Sequence, residues 1–323
     1  MPLATPFLAV FLATTVPASA SNTPAGVEEA VRLFKTHQFA EVRRLLEPLA
    51  ARDKSGEAAF WLGRVALREQ DFDRAVSWME KAVAANPTHS GYQQWLGRAL
   101  GQKALRAGVL KQAFLAKKVR DRYLEAVRLD PDNLDARYDL EEFYLVAPGV
   151  MGGSLQKAEE QAREIARRDP MRGLRAAARV HEQKKEAAEA ERKYRQAVEQ
   201  YPGKSEPFFW LANHYQRRKD SGRAIETLEQ LLRADPSAVG AYYGIARIAL
   251  ASGERLERAE ECLKLYLKTE PGKDDPPLAW AHFRLGSVYE KKGDRAAAKA
   301  EYEAALRLDP ALKDAKEALK RPS

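Results

Sequence analysis

Apolar side chains recur along this chain at offsets of three and four, in blocks that each run up to a proline. The prolines are Pro87, Pro131, Pro170, Pro202, Pro236, Pro271 and Pro310, separated by 32 to 44 residues. Five residues ahead of them stand Ala82, Ala126, Ile165, Ala197, Leu231, Tyr266 and Ala305; eight ahead stand Met79, Tyr123, Ala162, Tyr194, Leu228, Leu263 and Tyr302. Twelve ahead, every block carries Ala or Val: Ala75, Val119, Ala158, Ala190, Ala224, Ala259 and Ala298. Such spacing lays each set along one stripe of an amphipathic helix. The proline then ends the helix, because it lacks an N–H and restricts the residue before it.

A partner helix precedes each of these, marked by a large residue followed by a small one. The pairs are Leu62-Gly63, Leu96-Gly97, Leu211-Ala212, Ile245-Ala246 and Leu285-Gly286, with Leu140-Glu141 and Ala177-Ala178 as weaker copies. A small side chain there lets a second helix approach closely. Runs that alternate in the manner of strands are scarce, so the pattern predicts an all-helical chain. An internal period near 34 residues points to stacked repeats, in which each helix pair buries its stripe against its neighbours and no single compact core is needed.

At these residues the chain resembles the tetratricopeptide repeat family. The resemblance is strong over 56–89, 205–238 and 279–312, fair over 171–204 and 239–273, and strained by insertions in 90–133 and 134–170. A first, degenerate unit over about 23–55 would use Phe34, Phe39, Val42, Leu46 and Leu49 for its apolar faces. The resemblance implies an α-solenoid, a right-handed superhelix of about eight helix pairs within residues 21–323. A last helix over 312–320 would close it, with Lys313, Lys316 and Lys320 outward. It also implies a concave surface lined by the first helix of each pair. Candidate groove residues are then Phe60, Arg64, Arg98, Tyr138, Arg175, Arg179, Phe209, Asn213, Tyr243 and Arg247. Arginine with aromatic rings suits a peptide carrying acidic residues or a free C-terminus, since guanidinium forks bind carboxylates and rings give contact area at low entropic cost. The Lys and Asn clamp of a known chaperone-tail subtype is not reproduced, because Phe209 stands one turn before Asn213.

Charge adds a second candidate surface. The chain carries a formal net charge of +8. Residues 98–129, which hold the ten-residue insertion of the third unit, have nine basic side chains against Asp121 and Glu125. Lys103, Arg106, Lys111, Lys117, Lys118, Arg120 and Arg122 form the candidate basic patch, either a solvated face or a site for an anionic envelope polymer or lipid. Nucleic acid is not expected as a partner of an exported chain, and a membrane surface is a secondary possibility.

Residues 1–20 contain no charged side chain, with an apolar stretch from Leu3 to Val16 and small residues at Ala18 and Ala20. They are expected to be a cleaved export signal, cut after Ala20, which would place the mature protein in the periplasm of a bacterium. Cys262 is the single cysteine, expected as a structural thiol in a helix; no intramolecular disulfide can form.

Chemistry is otherwise sparse. The five histidines are scattered, and Lys185 stands where a zinc-protease helix starting at His181-Glu182 would need its second histidine. Ser154 and Lys157 have the spacing of a Ser-x-x-Lys nucleophile without the accompanying motifs, and Ser154 is expected to cap a helix. The loop Ala147-Pro148-Gly149-Val150-Met151-Gly152-Gly153 is read as structural, with anion binding by its amides as the alternative. A similar insertion occurs in a subgroup of bacterial tetratricopeptide proteins. No metal, cofactor or catalytic constellation is expected, and the function anticipated is a protein-interaction scaffold.

Overall fold

The computed structural model describes residues 25–272 and 275–321. All regular structure among them is helical, and the helices fall into two compact units that divide between Glu186 and Ala187. The proposed signal segment lies outside the described residues.

The N-terminal unit holds α1 (Ala25–Lys35), α2 (Phe39–Ala50), α3 (Glu57–Arg68), α4 (Phe72–Ala85), α5 (Ser90–Leu105), α6 (Val109–Leu129), α7 (Leu134–Val146), a 3-10 turn (Gly149–Met151), α8 (Leu155–Arg168) and α9 (Pro170–Gln183). Each helix packs on the next, and first helices also touch first helices: α1 with α3, α5 with α7, α7 with α9. The C-terminal unit holds α10 (Ala187–Gln200), α11 (Ser205–Arg217), α12 (Ser221–Ala234), α13 (Gly240–Ser252), α14 (Leu256–Tyr266), α15 (Leu278–Lys292), α16 (Arg295–Leu308) and α17 (Lys313–Leu319). There α13 touches α15 in the same way. Within both units the architecture is an α-solenoid of helix pairs, and α17 closes the second by burying Leu312, Ala315 and Ala318.

The turn inside three of the pairs shares one chemistry. Gln70, Lys219 and Gly293 take left-handed backbone angles (φ 61°, 60° and 84°). The aspartate after each, Asp71, Asp220 and Asp294, accepts a hydrogen bond from the amide three residues on and so caps the second helix. Between pairs, buried polar groups hold the proline turns: Gln93 donates to the Pro87 carbonyl at 3.1 Å and Arg137 to the Pro131 carbonyl at 2.7 Å. Two prolines depart from the simple stop. Pro170 opens α9 as its first residue, where a missing N–H costs nothing. α14 ends at Tyr266, well short of Pro271, and the Tyr266 hydroxyl donates to the Pro276 carbonyl at 2.5 Å.

Where the small member of a large-then-small pair is glycine, it receives a bulky side chain from the second helix: Met79 on Gly63, Tyr123 on Gly97 and Tyr302 on Gly286. A Cβ on Gly97 would lie 2.5 Å from the Tyr123 ring, and one on Gly286 would lie 2.6 Å from the Tyr302 ring. Gly101, one turn further along α5, has nothing within 4 Å of that position. The two glycines should therefore answer the same substitution with opposite signs. Gly97→Ala is expected to destabilise by about 1–3 kcal/mol through overpacking. Gly101→Ala is expected to stabilise by roughly 0.5–1 kcal/mol through lower chain entropy in the unfolded state and better helix propensity. Urea unfolding followed by circular dichroism checks both.

Candidate functional site

In the N-terminal unit the expected groove residues do come from the first helices, but most are already engaged. Arg98 donates from Nε to Asp139 at 2.6 Å, and Gln94 donates to the same carboxylate at 2.7 Å. Arg179 pairs with Glu141 at 3.0 Å and with Glu142 at 3.4 Å. The Tyr138 hydroxyl donates to the Arg172 carbonyl, and the Arg175 guanidinium lies 5.5 Å over the Tyr138 ring. These contacts tie α5 to α7 and α7 to α9.

Glu141 explains why its repeat read as a weak copy. It occupies the small position of the Leu140-Glu141 pair, and it is completely buried. The register position that holds Tyr, Met or Leu in other repeats is Ala162 on α8, a smaller side chain. Burial pushes the Glu141 carboxyl up to about 7, against the pull of Arg179. Its Oε1 has no hydrogen-bond partner.

Arg64 is different. Its guanidinium lies over four rings, Phe34 at 5.0 Å, Phe60 at 5.8 Å, Trp61 at 4.7 Å and Trp95 at 4.5 Å. It has no carboxylate partner among the described residues, and its Nε is buried without an acceptor. Burial, reinforced by the like charges of Arg68 and Arg98, pulls its pKa down to about 10. The ring faces stand in for a counter-charge. Phe60 is 6% exposed and serves this cage rather than an open surface.

The C-terminal unit presents a second such rank. Arg247 on α13 donates to the Asn213 side-chain oxygen on α11 at 3.2 Å. Arg284 on α15 donates from Nε to the Tyr243 hydroxyl at 2.5 Å and lies 5.1 Å over that ring. Burial, then the like charge of Arg284, lowers the Arg247 pKa. Neither arginine has a carboxylate partner among the described residues. Phe209 and Asn213 are half-buried, while Tyr243 is 8% exposed.

Arg284 was absent from the sequence expectation, which took the residue after each large-then-small pair and the residue one turn before that. The residue immediately before the pair reaches the same groups: Trp61 and Trp95 lie against Arg64, Asp139 takes Arg98, and Arg284 meets Tyr243, with Trp210 in the same column of the sequence. The recurrence of Trp in that column was the available signal.

The basic insertion lengthens the third helix pair. α5 has 16 residues and α6 has 21, against 14 for α4. Part of its charge is matched locally. Lys103 pairs with Asp73 at 2.6 Å, Arg120 with Asp121 at 2.9 Å, and Arg122 donates to Gln93 at 2.9 Å. Arg106 donates to Gln70 at 2.5 Å and covers the Phe72 ring at 4.5 Å. Lys111, Lys117 and Lys118 are exposed and have no carboxylate partner among the described residues.

The remaining motifs are structural. Amides of Met151, Gly152, Gly153 and Ser154 all donate to carbonyls of Tyr144, Pro148 and Gly149, which leaves those four amides no free N–H for an anion. Gly152 takes φ +101°, and a Cβ on Gly153 would meet the Ala147 carbonyl oxygen at 1.7 Å, so the loop demands both glycines. The Ser154 hydroxyl caps α8 by accepting from the Lys157 amide at 3.3 Å. Cys262 is fully buried, and burial pushes its thiol up to about 12. His181 bonds Glu186 at 2.7 Å. Among the described residues no cluster of three His, Cys, Asp or Glu side chains could hold a metal, and no helix is long and apolar enough to cross a membrane.

Helix pairs stacked in register, with glycine under a tyrosine or methionine in three of them and the same Asp-capped turn in three, define a helical repeat protein. Profiles of the tetratricopeptide repeat match residues 27–90, 152–205 and 211–276, and a further one matches 281–312. The chain belongs to the tetratricopeptide repeat family. Proteins of this family generally act as protein-interaction scaffolds and are generally non-catalytic.

Similar solved structures include a thermophilic tetratricopeptide protein of Thermus thermophilus, 18% identical, with a TM-score of 0.48 over 59% of this chain and 97% of that one. A tetratricopeptide protein of Parabacteroides merdae is 15% identical, with a TM-score of 0.44 over 83% of this chain and 98% of that one. The C-terminal part of a repeat-containing protein of Cytophaga hutchinsonii is 18% identical, with a TM-score of 0.44 over 91% and 100%. No curated protein matches the sequence.

Proposed function

We propose that this protein is a non-catalytic adaptor of the bacterial envelope that holds a peptide or protein segment against the face made by its first helices. The observation that carries this reading is Arg247 beside Arg284. Two half-buried guanidinium groups share one place without a carboxylate from the chain itself, and Asn213 and the Tyr243 hydroxyl orient them. Desolvated like charges are held at a cost, which a partner's carboxylate would offset by charge-assisted, bidentate bonding. An acidic side chain or a C-terminal carboxylate has the right charge and planarity. Phe209 supplies an adjacent half-buried ring.

In the N-terminal unit Tyr138 and Arg175 remain candidate contacts. Arg98 and Arg179 hold carboxylates of the chain, and Arg64 with Phe60 forms the aromatic cage, so charge reversal at those positions would disturb folding before binding. The envelope assignment is supported by the uncharged segment 1–20 with Ala18 and Ala20 ahead of Ser21.

The test is capture from native cell envelope by the wild-type chain and by Arg247→Glu/Arg284→Glu. The wild type is expected to retain a discrete protein that the double variant loses. Equal capture by both would remove the site from this face.

A further inference from the structure

The third helix pair ends in a tip whose composition the peptide-binding reading does not use. Leu105 is 45% exposed, Val109 72%, Leu110 91% and Phe114 62%. All four lie within ten residues, around the turn between α5 and α6. The next tip in the same unit repeats the feature, with Val146 46% exposed, Val150 96% and Leu155 40%. The two tips lie at one edge, for the 3-10 turn of the second packs on α6, and the Arg120 guanidinium sits 3.2 Å from the Cβ position of Gly152. Most other large apolar side chains of the unit are covered.

The exposed charges on the first tip itself are basic, while Asp73 and Glu80 of α4 line the cleft beside Lys111, Phe114 and Lys118. Lys111, Lys117 and Lys118 are exposed, Lys111 lies within the field of Asp73, Lys117 and Lys118 have no ion-pair partner among the described residues, and the Lys118 ammonium lies 4.7 Å over the Phe114 ring. Arg106 flanks the turn. Seven residues beyond the length of α4 carry the start of α6 roughly 10 Å further out at 1.5 Å per residue. A protruding helix start with bare Val, Leu and Phe, carrying three exposed lysines, has the make-up of a segment that lies in a bilayer interface. A soluble polyanion would need the lysines alone and gives no reason for the exposed apolar side chains.

We propose that this edge docks on an anionic lipid bilayer, with Val109, Leu110 and Phe114 entering the interfacial layer and Lys111, Lys117 and Lys118 meeting lipid phosphates.

The test uses the full chain with a reporter at the tip. Cys262 is buried, so Ala113→Cys offers a single reactive thiol for an environment-sensitive nitrobenzoxadiazole dye while leaving Val109, Leu110 and Phe114 in place. A matched label at Lys219→Cys reports on a turn of the C-terminal unit. Vesicles of phosphatidylcholine with 30–40% phosphatidylglycerol, roughly the charge of an anionic leaflet, are expected to shift the tip label to the blue and leave the other unshifted. Leu110→Asp/Phe114→Asp, added to the tip-labelled chain, is expected to weaken partitioning about tenfold or more. Both side chains are exposed, so the fold is retained. An unshifted tip label would overturn the proposal, even where the chain binds through residues 1–20. So would an unchanged shift after the Asp substitutions, an equal shift on pure phosphatidylcholine, or an equal shift with heparin in solution.

Discussion

Removing the guanidinium from Arg179, by Arg179→Met, is expected to destabilise the N-terminal unit at pH 8 by about 3–5 kcal/mol, because it leaves the Glu141 carboxylate buried without its ion-pair partner. Glu141 is 0% exposed, its Oε2 lies 3.0 Å from Arg179, and its other oxygen has no partner to compensate. The effect should depend on pH in a defined direction. In the wild type the folded carboxyl titrates near 7, above its ordinary value of 4.5, because burial opposes the charge. The folded state therefore binds more protons than the unfolded state between those limits, and this group's contribution to stability falls as pH rises from about 4.5 to about 7. In Arg179→Met the fall should continue to higher pH, so the penalty shrinks in acid, where the carboxyl is neutral in both chains. Glu141→Gln should remove most of this group's slope. Urea unfolding at pH 5 and pH 8 distinguishes the three chains. An unaltered pH slope in Glu141→Gln would show that the carboxylate is not under strain.

The second large effect falls on binding. Arg247→Glu/Arg284→Glu replaces two half-buried donors with acceptors of the partner's own sign. Losing a desolvated charge pair costs about 2–5 kcal/mol, so affinity for the partner should drop roughly 30-fold or more. The stability of the chain should behave otherwise. Neither arginine bonds a carboxylate of the chain, and each lies within the other's field. Arg247→Gln relieves the burial and like-charge cost carried by Arg247 and is accordingly expected to leave unfolding free energy unchanged or raised while still weakening binding. A residue present to hold the fold would show the reverse order.

Much of this architecture was legible because the repeat is written in small, short-range rules. Offsets of three, four and five to a proline located the second helices, and the large-then-small pairs located the first. Gly97 under Tyr123 and Gly286 under Tyr302 show why the second position must be small. The one charged exception, Glu141, was visible only as a defect; what it does became clear from Arg179, which lies a whole helix pair further along. The Ser154 cap is legible from the sequence, since capping depends on three neighbouring residues.

The site was less legible, and the reason is geometric. A stripe of arginines on first helices follows from spacing, but whether each meets a carboxylate depends on which residue the next pair sets beside it. Asp139 neutralises Arg98 from 41 residues away, while no acidic side chain answers Arg247 or Arg284. Arg64 meets Phe34 and Trp95 from neighbouring pairs, and spacing alone does not distinguish a caged cation from a binding one. Exposure of Val109 and Leu110 was likewise hidden, because an apolar helix start reads as core until the neighbouring helices prove too short to cover it.

The most direct test of the central claim places a photo-crosslinking amino acid at Phe209 in the full chain, in cells of its native envelope. The account predicts a discrete adduct with another polypeptide, abolished when Arg247 and Arg284 are both Glu. An adduct that persists in that background, or no adduct at Phe209, would contradict binding at this face.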